Sequence, residues 1–321
     1  MLRRIESSVS RWPLERPFKI SRGVRSVAEV VTVAVEQDGV RGLGECVPYH
    51  RYGETHESVL AQIEAAATIV ADGASRADLQ ANLLPGAARN ALDCALWDLE
   101  TRLGTADPGP AEPVETALTI GIDSPSRMGA DAARQNGSLL KVKLDSEDVQ
   151  RRLEAVRGAR PNARLIVDPN ESWSLAQLED LQPLLERLRI EFVEQPLPAK
   201  EDWKLEGFEP LVPICADESC HITNDLDALR ARYQIINIKL DKTGGLTQAF
   251  QLLESARGLG FGVMIGCMIC TSMSIAPALR IARFADYVDL DGPLWLREDR
   301  AGGVYLRDGV LMPPAAGFWA N

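Results

Sequence analysis

Short apolar runs recur along the last two thirds of the chain, and several of them end directly on a charged residue. Three runs lead into acids, namely Asp168, Glu194 and Asp217. Successive acids stand about 25 residues apart, which is the length that a parallel strand, a returning helix and their loops occupy. The pattern therefore predicts parallel strands whose carboxyl ends carry the acids.

After residue 113, such runs alternate with segments of helical periodicity, including 146–158, 174–188 and 246–258. The predicted strands lie near 117–121, 138–143, 163–168, 190–194, 212–216, 234–239, 261–267 and 287–291. Eight parallel strands separated by helices are typical of a (β/α) barrel, in which the carboxyl ends of the strands carry the active site. We therefore predict the α/β class and a TIM barrel of (β/α)7β type.

The first third of the chain is organised differently. Two apolar strands around a turn at Asp38-Gly39 predict a small antiparallel sheet, followed by two helices. These elements cover 30–36, 42–48, about 55–72 and 86–103. Segment 105–113 has three prolines and a glycine, which indicates a linker. We predict an N-terminal α+β capping domain at 1–113, a catalytic barrel at 114–299 and a tail at about 300–321 that packs back on the cap.

Composition narrows the possible functions. The net charge of −11 and the pI near 4.9 argue against nucleic acid as a partner, because a phosphate-binding surface must be basic. Residues 261–279 carry no charge, but their glycines, hydroxyl residues and proline predict a strand and a helix rather than a membrane span. No apolar run follows the two arginines at the start, so no signal peptide is expected, and the six cysteines are interpreted as reduced cytoplasmic thiols.

The three acids predict a metal site. Each acid alone could equally cap a helix or lie on the surface, but three at successive strand ends favour a shared cation. Ligation by oxygen alone selects Mg²⁺ or Mn²⁺ over zinc, because no histidine or thiolate has ligand spacing here. We expect one Mg²⁺ per subunit, with Mn²⁺ as a substitute.

Three lysines occur on the same predicted strands. Lys141 and Lys143 alternate along one strand, and Lys239 interrupts another apolar strand. A buried lysine is costly unless it is paired or used, and it acts as a base only when nearby positive charge lowers its pKa. The second and sixth strands of a barrel face each other across the lumen. Two lysines there would approach one carbon from opposite sides, which favours racemisation or epimerisation, whereas a single base would suit elimination or cycloisomerisation.

Further charged residues indicate the substrate. Asp289 and Asp291 share one side of a strand end and could bind an ammonium group; the alternative is an ordinary acidic loop. Arg22 and Arg25 lie on a predicted cap loop and could hold a substrate carboxylate; the alternative is that they are exposed loop arginines. Cys267 and Cys270 resemble a redox or zinc pair, but we interpret them as residues that line the site or pack.

The order of these motifs resembles a known family. It comprises Lys141-x-Lys143, Asp168-x-Asn170, Glu194-Gln195-Pro196, Asp217-Glu218-Ser219, Lys239 and Asp289-Leu290-Asp291-Gly292-Pro293. Together they are similar to the enolase superfamily, muconate-lactonising subgroup, and within it to the dipeptide epimerases of the L-Ala-D/L-Glu type. Enzymes of that superfamily are known to combine a lysine base with Mg²⁺, which stabilises the enediolate. The resemblance covers nearly the whole chain.

The resemblance implies a role for each matching residue. Lys143 and Lys239 would be the two acid/base catalysts, and Asp168, Glu194 and Asp217 the Mg²⁺ ligands. The substrate would contact Lys141 through its carboxylate, Asp289 and Asp291 through its α-ammonium, and Thr119, Cys267, Met268 and Ile269 along its length. The implied reaction is a 1,1-proton transfer through an enediolate that inverts the C-terminal residue of a dipeptide, in murein peptide recycling.

Two departures from the family leave the second residue of the dipeptide open. Gly23 occupies the position of a cap-loop arginine, and Cys270 stands where some relatives have glutamate. Rival functions are o-succinylbenzoate synthase or N-acylamino-acid racemase of the same superfamily and, in another class, a non-catalytic metal-binding barrel. Self-association into a homo-oligomer is also open.

Overall fold

An antiparallel sheet packed on helices forms the N-terminal region of the computed structural model, which describes residues 2–320. Its strands are β1 (Arg4–Ile20), β2 (Gly23–Gln37) and β3 (Val40–Cys46), and its helices are α1 (His56–Ala71), α2 (Arg76–Asn82) and α3 (Ala87–Arg102). Alternate residues of β2, such as Val31 and Val33, are buried in the core shared with α3. A side chain at Gly44 would collide with the α3 backbone, since its Cβ would lie 2.0 Å from Ala91 O. Sheet and helix are therefore in direct contact.

Eight parallel strands form the second region. They are β5 (Leu118–Ile120), β6 (Leu139–Lys143), β7 (Arg164–Asp168), β8 (Ile190–Glu194), β9 (Ile214–Ala216), β10 (Ile235–Lys239), β11 (Gly262–Gly266) and β12 (Tyr287–Asp289). They pair in sequence order, and the bond from Ala117 N to Val288 O, 2.8 Å long, crosses the remaining seam. The predicted barrel is confirmed.

Helices surround the barrel between most of its strands. They are α4 (Pro125–Arg134), α5 (Val149–Ala159), α6 (Leu175–Arg187), α7 (Leu226–Leu229), α8 (Leu240–Thr243), α9 (Leu246–Gly258) and α10 (Ser272–Ala282). Between β8 and β9 a short 3-10 turn, Asp202–Leu205, takes the place of an α-helix. The charge-free stretch 261–279 divides into β11 and the start of α10, as predicted. No helix in the described part of the chain is long and apolar enough to cross a membrane.

The lumen of the barrel contains two layers of side chains. Within each strand, residues two positions apart point to the same side. The layer nearer the strand starts, here called the apolar layer, consists of Ala117, Leu139, Ile166, Phe192, Cys215, Ile235 and Met264, with Tyr287 packed against it. The next layer toward the carboxyl ends, here called the polar layer, consists of Thr119, Lys141, Asp168, Glu194, Asp217, Asn237 and Asp289, all buried. The polar layer forms the floor of the site.

The C-terminal tail contacts both regions. Strand β13 (Tyr305–Arg307) pairs with β14 (Val310–Met312), which in turn pairs with β4 (Val114–Glu115), the strand that follows the linker. Beyond them, Trp319 Nε1 donates to Leu43 O at 2.8 Å, and Ala320 N donates to Asp98 Oδ1 at 2.7 Å. The predicted domain bounds stay a prediction, and their outermost residues, Met1 and Asn321, lie outside the described part of the chain.

Candidate active site

The three predicted acids meet at the carboxyl ends of neighbouring strands. Asp168 and Glu194 are the last residues of β7 and β8, and Asp217 directly follows β9. All three side chains are buried, with exposed fractions of at most 1%. Each belongs to the polar layer, two residues beyond a member of the apolar layer. The structure therefore brings together the acids that the sequence analysis singled out.

The Lys141 ammonium lies among these carboxylates. Its Nζ is 2.7 Å from Glu194 Oε2, 2.8 Å from Asp289 Oδ2 and 3.2 Å from Asp168 Oδ2. Burial alone would lower the pKa of Lys141, but the neighbouring acids outweigh it and raise the pKa well above its ordinary value. Lys141 is therefore a permanently charged group that holds the acids around one point.

Two further lysines stand on opposite sides of the lumen. Lys143 ends β6 and Lys239 ends β10, four strands away in the eight-stranded order. Lys143 Nζ pairs with Asp168 Oδ2, and Lys239 Nζ lies 2.7 Å from Asp217 Oδ2. Burial favours a neutral Lys239, but the Asp217 carboxylate outweighs burial and raises the pKa of Lys239. Offsetting the charge of Asp217 is thus a condition for Lys239 to act as a base.

Three supporting residues were missed by the sequence analysis. Asn237 Nδ2 donates to Glu194 Oε1 at 2.9 Å, and Gln195 Oε1 accepts from Asp217 N at 2.9 Å. Lys242 Nζ lies 2.7 Å from Asp217 Oδ1 and donates to Asn237 O at 3.0 Å. Asn237 could have been recognised from the sequence, because it is a polar residue in an apolar strand and lies on the same side as Lys239. Lys242 could not, because α8 has no pattern that distinguishes a buried lysine from an exposed one.

The pKa values of Asp168 and Glu194 are shifted in opposite directions. Burial would raise the pKa of Asp168, but Lys143 and Lys141 outweigh it and bring the pKa down to about 2. Burial and the charge of Asp168 raise the pKa of Glu194 to about 7, although Lys141 opposes them. Burial contributes most to the shift of Glu194, and positive charge added nearby would oppose it.

The donor set fits a hard divalent cation in chemistry and charge. Within residues 2–320, no three Asp, Glu, His or Cys side chains converge at metal-binding distances. The Lys141 ammonium instead lies within 3.2 Å of oxygens of Asp168, Glu194 and Asp289. The donors are three buried carboxylates, the ligands that Mg²⁺ prefers. One oxygen of the neighbouring Asp289, Oδ1, is buried and accepts no hydrogen bond, and the partner of Glu194 Oε2 is the Lys141 ammonium, 2.7 Å away. Positive charge added here would lower the pKa of Glu194 and so favour its charged form.

Two further acids stand beside this cluster. Asp289 ends β12, and Asp291 follows in the next turn. Asp291 Oδ2 accepts from Thr119 N at 2.8 Å and from Trp295 Nε1 at 3.3 Å. Burial and the nearby Asp289 raise the pKa of Asp291 to about 6. The two carboxylates lie side by side in the site, and their role in binding an ammonium group stays a prediction.

These strand ends open into a cavity of about 200 Å³. Both predicted catalytic lysines and all the predicted substrate-binding residues line it. They are Lys143, Lys239, Thr119, Lys141, Asp289, Asp291, Arg22, Arg25, Cys267, Met268 and Ile269. Asp168, Glu194 and Asp217 lie beneath this lining, at the floor. The cavity thus joins residues from the cap and from the barrel.

The two cap arginines differ in their surroundings. Arg22, in the turn between β1 and β2, lies 2.7 Å from Glu218 Oε1 and 3.2 Å from Glu171 Oε2. Arg25 lies within β2 rather than on a loop, which corrects its predicted placement. Its guanidinium stacks on the Tyr49 ring at 4.8 Å. Arg22 therefore fastens the cap turn to the barrel, whereas Arg25 faces the cavity with an aromatic neighbour.

Two family models together match most of the chain. The mandelate racemase / muconate lactonizing enzyme N-terminal domain matches residues 4–106, and the enolase C-terminal domain-like model matches residues 127–318. The matches cover the cap and the barrel respectively, so the pairing of the two regions is itself a feature of the family.

Known proteins resemble the chain over nearly its whole length. It is 47% identical to the L-Ala-D/L-Glu epimerase of Escherichia coli (strain K12), covering 94% of this chain and 96% of the relative. It is 42% identical to the N-acetyl-D-glutamate racemase of Pseudoalteromonas sp, covering 91% and 95%. An enolase family member from Agrobacterium tumefaciens, solved with sodium and L-Ala-L-Glu, is 46% identical with a TM-score of 0.96, covering 99% of each chain. Other matching structures are dipeptide epimerases solved with Mg and a dipeptide.

Proposed function

We propose that this chain, which belongs to the enolase superfamily and to its mandelate racemase / muconate lactonizing enzyme family, is a Mg²⁺-dependent dipeptide epimerase. It is an isomerase of the epimerase type, and its proposed reaction inverts the α-carbon of the C-terminal residue in L-Ala-D/L-Glu-like dipeptides. One observation carries this proposal. Lys143 and Lys239 line one cavity from opposite strands, and the acids lie on the floor between them.

The proposed substrate fills the cavity from one end to the other. Its α-ammonium lies at Asp289 and Asp291, whose carboxylates accept charge-assisted hydrogen bonds. Its C-terminal carboxylate lies toward Lys141 at the floor. Thr119 and the segment from Cys267 to Ile269 line the peptide between these ends. The two ends fix the α-carbon of the second residue between the catalytic lysines.

An acidic side chain on that second residue finds a partner in the cap. Arg25 lines the cavity and forms no ion pair with any carboxylate among residues 2–320, whereas Arg22 pairs with Glu218 and Glu171. Arg25 is therefore the proposed partner of a glutamate side chain, and Arg22 keeps the cap turn in place. This assignment narrows the earlier expectation, in which either arginine could bind the substrate.

The two lysines perform the proton transfers. One of them, neutral, removes the α-hydrogen, and the opposite one, as an ammonium, returns a proton to the other face of the enediolate. In the reverse direction they exchange roles. Mg²⁺ held by Asp168, Glu194 and Asp217 would supply the positive charge that acidifies the α-hydrogen and stabilises the carboxylate in the enediolate. Asn237 and Lys242 keep Glu194 and Asp217 in place while this charge develops.

Deuterium incorporation tests the proposal directly. The protein is incubated with L-Ala-L-Glu and Mg²⁺ in deuterium oxide, and the products are followed by NMR and chiral chromatography. Deuterium at the glutamate α-carbon together with L-Ala-D-Glu is expected. If no dipeptide from a broad panel exchanges its α-hydrogen, the epimerase proposal is wrong and a non-catalytic barrel becomes the better reading.

A second candidate is an N-acylamino-acid racemase, favoured by the 42% identity to an N-acetyl-D-glutamate racemase. An N-acyl substrate has no ammonium group, so Asp291 would gain no cationic partner from the substrate, and Asp289 would keep only Lys141. The same applies to o-succinylbenzoate synthase. N-acetyl-L-glutamate in the same deuterium experiment separates these functions, because faster exchange than with L-Ala-L-Glu would favour the racemase. A place in murein peptide recycling, a cytoplasmic location and self-association remain predictions.

A further inference from the structure

Two cysteines bracket the segment that forms one wall of the cavity. Cys267 lines the cavity and is partly exposed, whereas Cys270 is fully buried. Both are free thiols. Between them, Met268 and Ile269 also line the cavity. The proposed epimerase reaction uses neither sulfur atom.

The two sulfur atoms approach the same point. A Cβ built on Gly292 would lie 3.1 Å from Cys267 Sγ and 3.2 Å from Cys270 Sγ. Glycine at 292 therefore lets the turn after Asp291 pass directly over both sulfurs. Closing a disulfide requires the sulfurs to approach to about 2 Å, and both already lie within 3.2 Å of one point, the position of a Gly292 Cβ.

The two ends of this segment are anchored differently. Thr271, directly after Cys270, donates to Glu45 from its backbone N at 3.0 Å and from its Oγ1 at 2.6 Å. Arg300 Nη2 holds the same carboxylate at 2.7 Å. Cys270 is thus held next to a fixed point at the start of α10. Closing a disulfide must therefore move Cys267 and the cavity-lining residues next to it.

We infer that Cys267 and Cys270 are an oxidisable pair, which a small-molecule disulfide converts into an intramolecular disulfide that closes the cavity to substrate. The Cys267 thiolate attacks the reagent, forms a mixed disulfide and releases one thiolate. Cys270 then gives its proton to solvent, and its thiolate attacks Cys267 Sγ and releases the second thiolate. Two cysteine thiols are oxidised, and one external disulfide is reduced to two thiols.

The order of attack follows from exposure. Cys267 is reachable from the cavity, whereas Cys270 is buried beneath it, and reactive thiols are those that the reagent can reach. The remaining cysteines are Cys46, Cys94, Cys215 and Cys220, all with no exposed surface. They are expected to stay reduced while the protein is folded, so they serve as internal controls.

Oxidised glutathione is the probe. The full-length protein with Mg²⁺ is treated with it, and intact mass, peptide mapping and activity on L-Ala-L-Glu are followed together. A loss of about two mass units is expected, with a link between Cys267 and Cys270. Activity should fall about 100-fold, because a displaced cavity wall misplaces the substrate, and dithiothreitol should restore it. Saturating L-Ala-L-Glu should slow the modification.

Cysteine variants separate the formation of the mixed disulfide on Cys267 from its attack by Cys270. The activity of each treated variant is compared with that of the same variant before treatment. Cys270→Ser should stop at a glutathione adduct on Cys267, and Cys267→Ser should form neither adduct nor disulfide. Cys220→Ser should respond as the wild type does. If the active wild type forms no Cys267–Cys270 disulfide, or forms it without losing activity, the inference is wrong. The activity readout rests on the proposed function, whereas the mass readout does not. A disulfide in a protein that epimerises nothing would therefore count against the proposed function alone.

Discussion

The apolar layer and the polar layer of the barrel are built by the same strands and yet do opposite things. Phe192 and Glu194 are neighbours on one face of β8, and both are fully buried. Burying Phe192 stabilises the fold, since a side chain of that size gains about 1.5–3 kcal/mol on leaving water. Burying Glu194 costs free energy that Lys141 and Asn237 only partly return. Two residues of register therefore separate the part of the lumen that stabilises the fold from the part that carries charge for chemistry.

Removing either catalytic lysine should have the largest effect on the rate of epimerisation, and it should leave the apolar layer intact. Lys143→Ala and Lys239→Ala are each expected to reduce epimerisation by about 10³-fold or more, because inversion needs both a proton acceptor and a donor. Each variant should still exchange the α-hydrogen of one epimer. NMR in deuterium oxide with each epimer as substrate measures both the rate of epimerisation and the rate of α-hydrogen exchange. Lys200→Ala, at an exposed position, is the control, and full turnover in either lysine variant would refute the two-base mechanism.

The reverse perturbation targets the apolar layer. Phe192→Ala is expected to lower the free energy of unfolding by about 3–5 kcal/mol, because it leaves a cavity in the lumen. Activity per folded molecule should change far less than in the lysine variants. Urea denaturation and kinetics on the same preparation provide both numbers. Phe284→Ala, whose side chain is 46% exposed, should shift stability by less than about 1 kcal/mol. If Phe192→Ala and Phe284→Ala lowered the free energy of unfolding equally, the apolar layer would not stabilise the fold more than the surface does.

Mutating the proposed ammonium site should weaken substrate binding without weakening Mg²⁺ binding. Asp289→Asn combined with Asp291→Asn is expected to raise KM for L-Ala-L-Glu by about 10- to 100-fold, the cost of one or two charge-assisted hydrogen bonds. Mg²⁺ affinity, measured by calorimetry, should stay nearly unchanged, because these acids are proposed to bind the ammonium. A large loss of Mg²⁺ affinity would instead place them among the metal ligands.

The smallest expected effect is on pH dependence. Burial and Asp289 raise the pKa of Asp291 to about 6, so Asp291 is charged above that pH and neutral below it. Because the ammonium of the substrate needs a charged partner, KM should rise about 10-fold for each pH unit below 6. Asp291→Asn should remove most of this dependence while starting from a higher KM. KM profiles between pH 5 and 8 measure it, and identical profiles in both proteins would exclude Asp291 as the titrating group.

Features governed by strand period were predictable from sequence. Alternation placed Lys141 and Lys143 on one side of β6, and equal spacing placed Asp168, Glu194 and Asp217 at one end of the barrel. Those predictions needed only the alternation of side chains along a strand and the regular spacing of strands along the chain. The first strand, β1, was missed because it lies at the edge of its sheet and is mostly exposed, so no apolar pattern marks it.

Contacts between distant segments were not predictable in the same way. The pairing of Arg22 with Glu218 depends on how a cap turn lies over a barrel loop, and no local pattern encodes that distance. Lys242 likewise binds Asp217 from a segment whose sequence gives no sign of burial. Such residues gain their roles only once the cap and barrel are packed together, which sequence periodicity does not describe.

The course of the tail has a practical consequence for engineering. Its strand β14 pairs with β4, and Trp319 and Ala320 bond to Leu43 and Asp98 in the cap. The polypeptide thus returns to its first third after completing the barrel, so cutting at the 105–113 linker does not free an exchangeable module. A chimera that borrows another cap would need to borrow the matching final twenty or so residues as well.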